Sequence, residues 1–125
     1  MQNPNRIIHL LSLAQQALRT HVNTALSKAG LPVTMAQAGI LFLLKEQNAR
    51  IMSELGQALG VDNSAITRLI DRLESLRCVR RVADPENRRA FRIFITPVGT
   101  ETANRSKPII QKINQEIQSG FSPLQ

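Results

Sequence analysis

The sequence predicts a mainly α fold carrying one small β-hairpin, and three observations support that prediction. Apolar residues recur every three or four positions through most of the chain, the pattern of helices with one buried face. Near the middle, a short helical segment, a glycine and a second amphipathic segment follow one another without a long loop. Directly after them, residues 79–83 and 91–95 read as strands flanking a polar turn. The length of 125 residues suits a single domain, 1–125, and the 42% hydrophobic content supplies its core.

Residues 5–29 read as a long helix. Ile7, Leu11, Ala14, Leu18, Val22 and Ala25 recur at helical spacing, and Leu10, Leu13 and Ala17 widen the stripe. Gly30 supplies the stop and Pro32 forbids simple continuation. A stripe this broad has room for its own domain and for a second subunit, and the sequence does not apportion the two. Thr34 opens the next helix with Gln37 as its capping-box partner, and the apolar run 39–44 makes that helix central. Gly39 permits close packing there at a cost in helix propensity. Residues 48–51 are extended, enough for one short strand.

Residues 52–59 form a short helix closed by Gly60, Val61 and Asp62 make the turn, and a new helix spans 63–76. Either Asp62 or Asn63 can cap it. Ile66, Leu69, Ile70, Leu73 and Leu76 share one face of this helix. Ser64, Thr67, Arg68, Asp71 and Ser75 point away from it, with Arg72 at the edge. Leu55, Leu59, Val61, Ile66 and Leu69 stand where the two helices clasp, and Gly56 where they cross. This is a helix-turn-helix pattern.

A hairpin over 79–95 directly after such a pair is a wing. Its turn, 84–90, carries Arg88 and Arg89, placed to enter a minor groove or grip flanking phosphates. A solvated tip with Arg88 paired to Asp84 or Glu86 is the plainer reading. Thr96 and Pro97 then supply a cap and a first-turn proline for a last helix, 97–119, closed by Gly120. Pro108 predicts a kink or break near Lys107. Ile109, Ile110, Ile113 and Ile117 form an apolar face that wants the first helix and a second copy of the chain. The expected architecture is a winged helix-turn-helix, 34–95, between N- and C-terminal dimerisation helices.

Charge narrows the function. Sixteen basic against nine acidic residues leave +7, which points to a polyanionic partner. Eight of the basic residues fall within 64–92 and all eight are arginine, whose planar fork suits phosphates and guanine edges. Trp and Tyr are absent and Phe numbers four, too few for a protein that stacks on single-stranded bases. The single cysteine excludes an internal disulfide framework. No apolar run is long enough for a membrane span and no opening series resembles a signal peptide, so the expected setting is cytoplasmic.

The stretch from TMAQAGILFLL at Thr34, through MSELGQALGVDNSAITRLIDRLESLRCVRR, to DPENRRAFRIFITPVG at Gly99 resembles the MarR family of bacterial winged-helix transcriptional regulators. The resemblance implies a homodimer whose terminal helices interlock and whose two winged helices meet a pseudo-palindromic double-stranded DNA operator. It makes 63–76 the recognition helix, Asn63, Ser64, Thr67 and Arg68 its base readers, and Arg72 and Arg77 phosphate neighbours, with Arg88 and Arg89 on the wing. Asn87 stands where the family often has an aspartate, so a carboxylate brace within the wing would fall to Asp84. Cys78 replaces a common glycine, implying a differently shaped exit from the helix, and Met52 replaces a capping hydroxyl, leaving Ser53 to cap. The segment 120–123 resembles the loop before a final dimerisation helix, so the 125 residues read as part of a longer chain.

By the same resemblance, a small aromatic or phenolic effector binds between the dimerisation and DNA-binding parts, in a pocket of the first, second and final helices. The apolar residues of those helices are equally well explained as core. Cys78 is a redox candidate, with Arg77 and Arg80 near enough in sequence to favour a thiolate; otherwise it is a structural turn residue. No metal or cofactor is expected: His9 and His21 lie about 18 Å apart along one helix, too far for one site. No nucleophile elbow, phosphate cradle or carboxylate pair points to an enzyme. The competing class is a winged-helix interaction or antagonist module, favoured by Asp71 and Glu74 on the recognition helix, because acids there repel phosphate.

Overall fold

The computed structural model describes residues 5–121. Five helices and three strands follow in the order α1 (Arg6–Lys28), α2 (Met35–Glu46), β1 (Arg50–Ile51), α3 (Met52–Leu59), α4 (Asn63–Ser75), β2 (Val79–Ala83), β3 (Phe91–Ile95) and α5 (Pro97–Phe121). The strands form one antiparallel sheet in the order β1-β3-β2, with Arg50 opposite Ile93 and Val79 opposite Ile95. The fold is the mainly α winged helix-turn-helix that the sequence predicts.

Local chemistry accounts for the element ends. Thr34 and Gln37 form the expected capping box, and Asn23 of α1 also accepts from the Met35 N–H at 2.8 Å. Gly30, at φ +78°, ends α1: its N–H reaches the Ser27 carbonyl while the Leu31 N–H reaches that of Leu26. Asp62 rather than Asn63 caps α4, accepting from the Ala65 N–H at 2.8 Å. Helix α3 departs from expectation. Its N-cap is Ile51 and no side chain caps it, so Ser53 does not take that role. The β1–β3 ladder delivers the chain straight into the helix and leaves Ser53 inside the first turn, past the cap position.

Two clusters hold the molecule together. The larger takes Ile40, Leu41 and Leu44 from α2, Leu55 from α3, Ile66, Ile70 and Leu73 from α4, and Ile93 from β3. Gly56 is buried where α3 crosses α4; a Cβ there would lie 3.3 Å from the Ile66 side chain. The smaller cluster joins Val22 and Leu26 of α1, Leu31 and Ile113 of α5, with Ile109 and Ile110 against it. This apportions α1 along its length. Its C-terminal half buries Val22 and Leu26, whereas Ile7, Ile8, Leu10, Leu11 and Leu13 remain 48–70% exposed.

For α5, the break expected near Lys107 and the end expected at Gly120 are corrected. The helix runs unbroken through Pro108, and it continues past Gly120 to Phe121. Proline removes the N–H that would meet the Asn104 carbonyl and costs ~3 kcal/mol in a free helix. Here the buried Ala103 and Ser106 on one side, and Ile110 and Ile113 on the other, hold the helix against α2 and α1. The rest of the segment expected to lead into a further helix, 122–123, lies outside the described residues.

Candidate nucleic-acid interface

Helix α4 has three faces. Ile66, Ile70 and Leu73 are buried beneath it. At 100° per residue, Ser64, Arg68 and Arg72 align on one outward ridge, while Asn63, Thr67, Asp71 and Glu74 align on another that faces the wing. Ser64, Arg68 and Arg72 are all exposed. Asn63 is exposed and Thr67 half-buried, its hydroxyl donating to the Asn63 carbonyl at 2.7 Å. That bond leaves the Thr67 methyl and its oxygen lone pairs to face outward.

Asn63, Thr67 and the wing's Arg89 line one concavity of about 410 Å³, floored by Ile66 and Phe91. The structure therefore brings these three sequence-predicted residues together. Ser64, Arg68, Arg72, Arg77 and Arg88 lie outside that concavity, on the surrounding surface.

The exit from α4 explains Cys78. The left-handed residue is Arg77, at φ +63°, and not the residue at the glycine's place. The Arg77 N–H donates to the Glu74 carbonyl and the Cys78 N–H to the Leu73 carbonyl, both at 2.9 Å, closing a Schellman turn. This turn is then bolted to α5. The Thr96 hydroxyl donates to the Arg77 carbonyl at 2.6 Å and accepts from the Gly99 N–H at 3.0 Å, and the Thr96 N–H donates to the Cys78 carbonyl. Cys78 itself is buried, its thiol 3.8 Å from the Thr102 hydroxyl, and burial pushes its pKa up. The expectation that Arg77 and Arg80 favour a thiolate is thus corrected: both guanidiniums belong to exposed residues, and desolvation dominates at the sulfur.

The wing turn is built by side-chain-to-backbone bonds. Asp84, buried, accepts from the Glu86 N–H at 3.1 Å; Asn87 accepts from the Arg89 N–H at 3.1 Å and so orders the tip as an aspartate would. The Asp84 carboxylate lies 3.8 Å from Arg92, whose guanidinium also donates to the Ala49 carbonyl at 2.9 Å. The wing brace accordingly runs from Asp84 to Arg92. Among the described residues, neither Arg88 nor Arg89 makes an ion pair.

The sequence reading gave no role to Arg81 and Arg92, which the structure engages with carboxylates, Arg81 largely embedded and Arg92 still 40% exposed. Arg81 pairs with Asp71 and, at 3.1 Å, with Glu74, and lies 5.6 Å from the Phe91 ring centre. Strand parity carried the signal: Arg81 lies two residues after the buried Val79, on the inward face of β2. Arg68, Arg72, Arg77, Arg80, Arg88 and Arg89 remain exposed, around the outward ridge and the wing.

Away from this surface, α2 and α5 form a groove of about 370 Å³ with Phe42 and Ile110 on its floor and Lys45 and Lys107 on its rim. A second groove, about 310 Å³, lies between α1 and α5 beside His21 and Ile109. Ile110 and Ile113 pack at the junction of the first, second and final helices, between these two grooves. No group of three potential metal ligands occurs among those residues, and no helix is long and apolar enough to cross a membrane.

Fold and surface together define a winged helix-turn-helix protein with an arginine-rich outward face. Residues 33–91 match the model of the MarR family. The multiple antibiotic resistance protein MarR of Escherichia coli (strain K12) is 28% identical over 113 residues, 90% of this chain and 75% of that one. The transcriptional regulator BldR from Sulfolobus solfataricus superposes with a TM-score of 0.80 at 26% identity, covering 99% of this chain and 90% of that one. Bordetella bronchiseptica BpsR, whose DNA binding is regulated by 6-hydroxynicotinic acid, superposes with a TM-score of 0.84 at 23% identity, covering 98% and 87%. The winged-helix segment 33–91 is thus similar to the MarR family, whose members are DNA-binding transcriptional regulators. It spans 55–75% of the length of the curated relatives it matches.

Proposed function

We propose that this protein is a homodimeric, sequence-specific regulator that binds a double-stranded DNA operator and represses transcription, acting in the cytoplasm. One observation carries the reading: Ser64, Arg68 and Arg72 form an unobstructed outward ridge on α4, flanked by the wing's unpaired Arg88 and Arg89. In a dimer the two ridges enter successive major grooves roughly 34 Å apart, and phosphate contacts make binding strongly salt dependent. Asn63, Ser64, Thr67 and Arg68 read base edges; Arg72, Arg77, Arg88 and Arg89 grip backbone or minor groove.

Two substitutions separate these roles. Arg68→Ala weakens operator binding by ~1–3 kcal/mol and relaxes sequence preference, whereas Arg89→Ala lowers affinity for operator and random duplex alike. Anisotropy titrations of both variants on both duplexes decide it; a uniform loss for Arg68→Ala removes it from the base readers.

The α2–α5 groove suits a small aromatic acid, with Phe42 and Ile110 against the ring and Lys45 or Lys107 on the carboxylate. Calorimetric titration with 6-hydroxynicotinic acid and simple hydroxybenzoates, repeated on Lys107→Ala, tests this effector role. Undiminished binding by the variant places the effector elsewhere. Pairing of Asp71 and Glu74 with Arg81 favours the DNA-binding reading over an interaction module.

A further inference from the structure

We propose that Arg81 is a positioning residue for DNA binding, which neutralises the two carboxylates of the recognition helix. The inference rests on the DNA-binding reading above. Asp71 and Glu74 stand three residues apart on the wing-facing ridge of α4, the same ridge as Asn63 and Thr67. Left bare, they would place two negative charges on the element that must approach the phosphates of DNA. One Nη atom of Arg81 contacts Asp71 Oδ1 and also Glu74 Oε1 at 3.1 Å.

The guanidinium is held for this task from the wing side. Arg81 is on the inward face of β2, opposite Ile93 of β3, and 5.6 Å from the Phe91 ring centre. Its side chain is 19% exposed, against 55% for Asp71 and 43% for Glu74, so the arginine is the embedded member of the triad. The bond to Asp71 raises an already high pKa, and Arg81 stays charged at any physiological pH. That single nitrogen meets both carboxylates, and the same guanidinium lies within cation–π reach of the Phe91 ring.

The test compares wild type, Arg81→Gln, Asp71→Asn/Glu74→Gln and the triple variant on one random-sequence duplex, at about 50 and 200 mM salt. Circular dichroism and thermal melts accompany each protein. Unmasking the acids in Arg81→Gln is expected to weaken binding on the order of tenfold at low salt, with a smaller loss at high salt. The triple variant, with arginine and acids all gone, is expected to recover to within about threefold of wild type. A purely structural role for Arg81 predicts no such recovery. Folded Arg81→Gln binding as wild type, or a triple variant as weak as Arg81→Gln, overturns the proposal. Should Arg81→Gln fail to fold, the doubly neutralised variant still decides: it keeps Arg81 and is expected to bind at least as tightly as wild type. Weaker binding by that variant overturns the proposal. Failure of wild type to bind any duplex at low salt would instead overturn the DNA-binding reading, and this proposal with it.

Discussion

Arg77 adopts a left-handed backbone that costs an L-residue about 1–2 kcal/mol and that glycine accepts freely. An exposed arginine in that place carries a cost that glycine would not, which fits a phosphate-facing role. Arg77→Gly is expected to raise stability by up to about 1 kcal/mol in urea unfolding while lowering DNA affinity. Higher stability with unchanged affinity would leave Arg77 without a role on DNA. Gly99 is the converse case. A Cβ there would lie 2.1 Å from the Cys78 carbonyl oxygen, so Gly99→Ala should cost at least about 1–3 kcal/mol through overpacking. A change in the unfolding midpoint too small to measure would show that α5 is not clamped to the turn. Cys78, buried with a raised thiol pKa, is expected to react with a thiol reagent only after denaturant is added. Rapid labelling of the native protein would reopen the redox role.

Among the elements, those with one apolar face and a local stop were legible in the sequence. Thr34 with Gln37 marked the start of α2, Gly60 the end of α3, and the spacing of Ile66, Ile70 and Leu73 the buried side of α4. The wing was legible because its two strands bracket a polar turn. What could not be read was set by neighbours distant in sequence. The partner of Asp84 is Arg92 and not Arg88, because strand pairing, and not sequence proximity, brings Arg92 back to the wing base. The proline of α5 gave a strong local signal that tertiary packing overrides. The candidate site was half legible. Its exposed arginines were visible as a cluster, but the inward-facing Arg81 could be told from the exposed Arg80 only by strand parity.

At the scale of the whole molecule, the N-terminal half of α1 is the unsatisfied part. Five large apolar side chains between Ile7 and Leu13 face water, far more than a lone helix needs. In the proposed dimer a second copy of the chain covers this face. Leu11→Lys is expected to shift the protein from dimer to monomer in light scattering and to weaken operator binding with it. A monomeric wild type would contradict the dimer. The positive charge follows the same division: six exposed arginines gather about α4 and the wing, while the rest of the surplus is spread along the chain.

The central claim is sequence-specific reading of duplex DNA by α4. Its most direct test is the affinity of the protein for an inverted repeat from the DNA flanking its own gene, first located by footprinting, against a random duplex of equal length at physiological salt. A preference of at least about 10³-fold for the repeat is expected. Equal affinity for the two duplexes would contradict it.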